Sequence, residues 1–435
     1  MLGLAGLVLS VVAIVFLVWR GWHMAIVSLA AALIVIATNG MDLFESINDA
    51  YMGDMSAFVG SWFLLFALGS VFGRVMGDSG ASAGIASSML RLVGEKHALL
   101  VIMITGLVLS YGGISAFIIA FSVYPIAAEL FERADIPKKL IVAAIMVCPA
   151  TLGMVMMPGI PSTQNLIPTS YLGTDAYAGG LLGVICSVVM FAMSYAYLQW
   201  EIGRCRRRGE HFSPAAGEKI GGPGSDAPPT WACFAPIVLL VVLVFVLQRV
   251  ASLAATDAVS AAMVAAVALA CLLYRERIGD VRRALGEACA SGLNSLITVA
   301  SIMGFGGVVV ASPAYQGIVS ALMDTSMNPL WQAFLTIFAI AGITGSAIGA
   351  LNIYFSSAAG ALLATGLDPA MIHRVLCMAS VGPATLLPHT SAMLAANQAA
   401  HTEVRDTYRY VLVSCALMPV AVSLLGMALG LLGVA

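Results

Sequence analysis

The amino-acid sequence predicts an all-α polytopic membrane protein built from two inverted repeats, each with a re-entrant helical hairpin and a broken helix. Three observations lead there. Of 435 residues, 60% are hydrophobic and 10% charged, with a mean hydropathy of +0.98; a water-soluble domain carries about 25% charged residues. The apolar runs are long enough to cross a bilayer as helices, which takes roughly 17–25 residues. Finally, two apolar segments are interrupted in the same way. One runs from Pro149-Ala150-Thr151-Leu152 to Pro158-Gly159-Ile160-Pro161-Ser162-Thr163-Gln164-Asn165, the other over Gly382-Pro383-Ala384-Thr385-Leu386-Leu387-Pro388-His389-Thr390-Ser391. Each proline removes a backbone donor and clashes with the preceding turn. A helix that only crosses the bilayer has no use for this, and matched broken helices point to a transport site between repeats.

Taken in order, helices are expected at about 5–19, 24–38 and 57–76, then an interfacial stretch at 77–96. The first has no basic stretch ahead of it and Arg20 behind it, so it reads as a retained helix and not a cleaved signal. The short halves 97–110 and 115–131 flank Tyr111-Gly112-Gly113-Ile114. A broken helix at 140–172, a helix at 178–200 and a polar loop at 201–230 complete the first half. The second half gives helices at 231–248, 257–274 and 287–310, halves at 329–343 and 350–364, a broken helix at 371–399 and a last helix at 409–433.

The second half repeats the first. Gly73 and Gly306, Ser79 and Ser312, Gly84-Ile85 and Gly317-Ile318, and Gly112 and Gly345 are each 233 apart, and Pro-Ala-Thr-Leu recurs at 149 and 383. The division is therefore 1–200 first repeat, 201–230 cytoplasmic loop, 231–435 second repeat. Placing Arg20, 74–96, 133–139, 201–230, 275–283 and 405–409 in the cytoplasm leaves only Arg249 and Arg374 of the 20 Lys and Arg outside. The acidic loop with Asp42, Glu45, Asp49 and Asp54 then falls outside. This topology requires 97–131 and 329–364 to be re-entrant hairpins entering from opposite faces, which inverts the repeats. Irregular backbone at that depth is tolerable only where it is buried in protein or lines a cavity.

Two hairpin tips and two helix breaks are thus expected to converge near mid-membrane. Glycines there let backbone approach a ligand, and interrupted helices leave first-turn N–H groups whose positive dipole ends attract anions. The candidate substrate-binding residues are Gly112, Gly113, Ser115, Thr151, Ser162, Thr163, Gln164, Asn165, Gly345, Ser346, Thr385, Thr390 and Ser391. Small residues also serve helix packing, which accounts for Ser79, Gly84, Ser312 and Gly317 but not for Pro-x-Ser-Thr-Gln-Asn inside a span. His389 is the titratable group of a break and a candidate for proton coupling, against the alternative of a neutral cap for the following half-helix. His373 and Arg374 are read as interface anchors, and Glu129 and Glu132 as solvated at a hairpin mouth. The cluster Arg204 to Arg208 is read as a topology anchor beside anionic lipid. The eight cysteines are scattered without C-x-x-C spacing and suit packing better than metal or redox chemistry. A net charge of −2 gives no sign of a nucleic-acid partner.

Gly77-Asp78-Ser79-Gly80-Ala81 with Gly94-Glu95-Lys96, the first break ending in Tyr171-Leu172-Gly173, and His373-Arg374-Val375 leading to Leu387-Pro388-His389 resemble the gluconate:proton symporter (GntP) family, within the ion transporter superfamily. Tyr111-Gly112-Gly113-Ile114-Ser115, Val123-Tyr124-Pro125 and Pro161-Ser162-Thr163-Gln164-Asn165 are similar to a subgroup of hydroxybutyrate-type permeases. The resemblance covers essentially the whole chain. It implies a homodimer with a scaffold and a mobile transport domain moving as an elevator. The expectation is a symporter for a small carboxylate in the cell inner membrane, with no cofactor and a co-transported proton, or alternatively sodium. An intramembrane hydrolase using Ser391 or Ser162 with His389 lacks any nucleophile motif and gives the repeat no purpose. A passive channel is disfavoured by tips entering from opposite faces.

Overall fold

The computed structural model describes residues 2–94, 97–111, 116–160, 162–215, 218, 228–249, 253, 255–323 and 327–434. The described residues form helices and connecting turns. In chain order these are α1 (Leu2–Trp19), α2 (Met24–Asn39), α3 (Leu43–Asp78), α4 (Ala81–Val93), α5 (Ala98–Tyr111), α6 (Ala116–Arg133), α7 (Lys138–Met156), the single turns α8 (Thr163–Leu166) and α9 (Thr169–Leu172), and α10 (Gly180–Arg207). The second half gives α11 (Thr230–Arg249), α12 (Ala255–Leu273), α13 (Val281–Ala311), α14 (Pro313–Met323), α15 (Pro329–Thr344), α16 (Ala347–Leu363), α17 (Pro369–Ala384), α18 (Ser391–Ala399) and α19 (Val404–Leu431). Among the described residues six helices are long and apolar enough to span a membrane: α3, α7, α10, α11, α13 and α19. Along α11, Val238, Val242 and Phe245 form an exposed apolar stripe, as a surface facing hydrocarbon requires.

Several boundaries differ from expectation: α10 runs on to Arg207, into the stretch expected as a loop from 201, and α13 starts at Val281 and not near 287. The acidic stretch expected as a loop before residue 57 belongs to α3, which starts at Leu43. Asp42 caps it by accepting a hydrogen bond from the Glu45 N–H at 2.8 Å, and acidic side chains in the first turns favour the positive end of the helix. Likewise α19 begins at Val404 and not near 409, because Thr407, Tyr410 and Val411 are buried against the protein.

The helices pack in two groups. In the first, α3 lies along α13, flanked by α2 on α13 and α12 on α3, with α1 on α2 and α11 on α12. Small residues bring the central pair together: a Cβ on Gly292 would meet the Phe66 carbonyl oxygen at 2.5 Å. In the second group α5 packs on α7 and α15 on α17, while α7 contacts α17 and α10 contacts α19. α17 is buried from Met371 to Ala384. The groups are bridged by α6 against α3 and by α18 against α13. α18 also packs on α6, and α8 and α9 pack on α16, so each half of the chain is seated on an interrupted segment of the other.

Candidate functional site

The first interruption is built from its prolines and small side chains. From Cys148 to Met156 the helix widens to i→i+5 turns, then Met157 turns extended (φ −72°, ψ 133°). Gly159 takes φ +80° and donates its N–H to the Ala176 carbonyl at 2.8 Å. A side chain there would strike the Tyr177 ring at 2.4 Å, so glycine is required for both conformation and space. Ser162 then restarts the helix, accepting from the Asn165 N–H at 3.1 Å and donating to the Met154 carbonyl across the break. In the second interruption α17 ends at Thr385, whose hydroxyl donates to the Cys415 carbonyl with Gly382 O also at 3.0 Å. α18 restarts at Thr390 without a side-chain capping bond, which leaves its first-turn donors for something else.

The tip between α15 and α16 is a two-residue turn. Gly345 (φ +65°) donates back to Ala341 O at 2.9 Å and Ser346 caps α16 through the Gly349 N–H at 3.1 Å. The corresponding tip, with Gly112, Gly113 and Ser115, lies outside the described residues, as does Pro161.

A cavity of about 330 Å³ joins these parts. Its polar side is formed by Ser162, Thr163 and Gln164 from the first break, Thr385, Thr390 and Ser391 from the second, and Gly345 and Ser346 from the tip. Phe58, Trp62 and Leu65 of α3, Phe117 of α6, Val259 of α12 and Met303 of α13 close it with apolar surface. The Trp62 and Phe117 rings stand 4.8 Å apart between centroids. Among the described residues no charged side chain lines it. Thr151 and Asn165 stand behind the wall: Thr151 is fully buried and donates to Val147 O within its own helix, and Asn165 is held in a network described below.

His389 is enclosed one residue from the wall, between Thr390 and Gly345. It is 1% exposed. Neither ring nitrogen has a hydrogen-bond partner among the described residues, and the Thr390 hydroxyl has none either. The ring meets Phe305 edge-on at 6.3 Å, and its Nε2 would stand 3.1 Å from a Cβ on Gly345. Burying an imidazole with both nitrogens unpaired is unfavourable.

Arg374 and His373 are not interface anchors. Both are fully buried, inside the second group of helices. Arg374 donates from Nη1 to Val155 O (2.7 Å) and Asn165 Oδ1 (2.9 Å), from Nη2 to Ala176 O (3.1 Å) and Ala178 O (2.7 Å), and from Nε to Ala178 O (3.0 Å). One guanidinium therefore gathers carbonyls from both ends of the 155–178 excursion. Asn165 donates to Ile160 O and Ala176 O, and its Oδ1 also faces His373 Nε2 at 3.2 Å, while His373 Nδ1 meets the Thr174 hydroxyl at 2.8 Å. Sequence reasoning missed this clamp. Its signal was that Arg374 is one of two basic residues off the basic side.

Glu129 is also buried, not solvated. It is 2% exposed, one oxygen pairs with Arg133 Nε at 2.7 Å, and the other has no partner among the described residues. It lines a second cavity of about 610 Å³ with Arg74, Asp78, Glu218, Glu287 and His401. The segment after α10 straps across this side. Glu218 binds Lys138 and the Tyr124 hydroxyl, Glu210 pairs with Lys139, and Asp135 accepts from the Phe212 N–H at 3.0 Å and meets His211 at 2.7 Å. The His211 and Phe212 hydrogen bonds hold the Asp135 carboxyl below its usual range, and Lys139 does the same for Glu210. For Glu218, burial pushes the carboxyl up, but Lys138, Tyr124 and the Ala215 N–H outweigh it and leave the carboxyl lowered.

Comparison with known proteins now decides the family. The GntP family permease model matches residues 2–389. The chain belongs to the GntP family of permeases. It is 30% identical to the uncharacterized transporter YxjC of Bacillus subtilis, over 91% of this chain and 92% of that protein. It is 25% identical to the high-affinity gluconate transporter of Escherichia coli, over 84% of this chain and 81% of that one. An uncharacterized permease of Haemophilus influenzae is 31% identical over 44% of this chain and 37% of its own length. This GntP-family permease is a multi-pass membrane transporter of the secondary type.

Proposed function

We propose that this GntP-family permease is a proton-coupled symporter for a small organic anion, a short hydroxy- or monocarboxylate, in the bacterial inner membrane. The observation that carries the reading is the cavity itself: hydroxyls, an amide and a glycine turn from both halves of the chain face one space at the junction of the two helix groups. Its size suits a small ligand, near the lower end of ligand pockets at roughly 300 Å³. A carboxylate would accept from the uncapped first turn of α18 and from the Thr390 and Ser391 hydroxyls. A short apolar tail would lie on Phe58, Trp62 and Phe117. This division favours a short hydroxy acid over a fully hydroxylated one such as gluconate, the substrate named for the Escherichia relative. His389, buried and unpartnered beside the same turn, is the proton carrier in this reading. It would take up a proton when an anion fills the site and lose it when the site empties.

In the same proposal residues 1–200 and 231–435 are inverted repeats around the 201–230 loop, and α5–α6 and α15–α16 are re-entrant hairpins. The α7–α17 group moves as an elevator against the α3–α13 group in a homodimer. The residues Gly112, Gly113, Ser115, Thr151 and Asn165 complete the site, the last two from behind its wall.

The test is uptake by Thr390→Val and Ser391→Ala. Each removes one hydrogen-bonding group worth about 1 kcal/mol, so KM is expected to rise about fivefold in each with insertion unaffected. Unchanged KM in both overturns the site.

A further inference from the structure

Arg374 is a full positive charge inside the protein whose five N–H groups are all spent on neutral oxygens. It forms no ion pair with a carboxylate among the described residues. Carbonyls and an amide solvate a guanidinium without cancelling its charge, and a low-dielectric interior transmits what is left. The charge sits directly behind the cavity wall. Its acceptors Val155 and Asn165 are the chain neighbours of Met154 and Gln164, both on the wall, and Cys377, one turn along α17, donates to the Gln164 carbonyl at 3.3 Å.

We infer that Arg374 is the specificity-determining charge of the site: it never touches substrate, but its field through Asn165 and Gln164 makes the neutral cavity select anions. The inference rests on the carboxylate reading above. A backbone clamp alone would require the hydrogen bonds of Arg374 but not its charge, and the two roles separate by substitution. Arg374→Lys keeps the charge and loses the planar fork. Arg374→Gln loses both. Asn165→Asp keeps Arg374 and sets a carboxylate 2.9 Å from its Nη1, in the place of the present amide oxygen.

The experiment measures binding of 3-hydroxybutyrate and of its uncharged amide to the purified full-length protein in detergent, with the melting temperature recorded for each variant. Arg374→Lys is expected to keep the carboxylate-over-amide preference within about threefold despite a lower melting temperature, whereas Arg374→Gln and Asn165→Asp lose roughly tenfold or more of it. Equal loss in Lys and Gln variants, or an unchanged preference in folded Asn165→Asp, overturns the inference and leaves a clamp. If Arg374→Gln does not fold, Asn165→Asp and Arg374→Lys still decide. If the wild-type protein binds neither 3-hydroxybutyrate nor gluconate, the carboxylate reading falls, and the inference with it.

Discussion

At the scale of single residues, the account turns on His389. It is buried with no hydrogen-bond partner on either ring nitrogen among the described residues, and the proposal makes it the proton carrier. His389→Gln keeps the volume and removes the titration. Under the proposal it abolishes proton-driven accumulation while leaving substrate exchange down a gradient measurable. Retention of the wild-type pH dependence by this variant would assign coupling to another group. The residues that line the cavity were readable because prolines and glycines mark where a helix stops, and small polar side chains cluster at those stops. Ser162 to Gln164, Gly345, Ser346, Thr385, Thr390 and Ser391 all reach the wall for that reason. Thr151 and Asn165 carry the same chemistry in the sequence but face away, one bonded within its helix and the other to Arg374. The burial of Arg374 and Glu129 was not readable. The partners of Arg374 come from 196 to 219 residues away, so no local pattern announces them.

At the scale of elements, the strap after α10 has the most distinct behaviour. Asp135, Glu210 and Glu218 are all held below the ordinary carboxylate range by their partners in the folded protein. A lowered carboxylate stabilises the contact above its free value, and that contribution is lost as pH falls through the lowered one. The strap is therefore expected to stay docked at neutral pH and to release in acid. Hydrogen exchange of residues 208–215 should rise several-fold as pH falls below about 4, after correction for intrinsic exchange. Glu218→Gln should shift the release toward neutral pH, and a strap equally protected in acid would refute this. Element boundaries were legible where hydrophobic length decides them. The start of α3 was not, because an aspartate cap extends the helix through residues whose acidity suggested a loop.

At the scale of the whole molecule, the two halves meet at matched interrupted segments: α18 packs on α6, and α8 and α9 pack on α16. The proposal reads that exchange as the meeting of two inverted repeats. Cysteines placed at Tyr111 and Ala347, near the two tips, are expected to react with impermeant reagents from opposite faces of the membrane. Labelling of both from one face would refute the inverted topology. The central claim, a proton-driven carboxylate symporter, is tested most directly by uptake into proteoliposomes of gluconate and short hydroxy- and monocarboxylates under separately imposed proton and sodium gradients. The account predicts accumulation of a short hydroxycarboxylate above equilibrium with an inward proton gradient and none with sodium alone. Accumulation driven by sodium and indifferent to the proton gradient, or no uptake of any carboxylate in the panel, would contradict it.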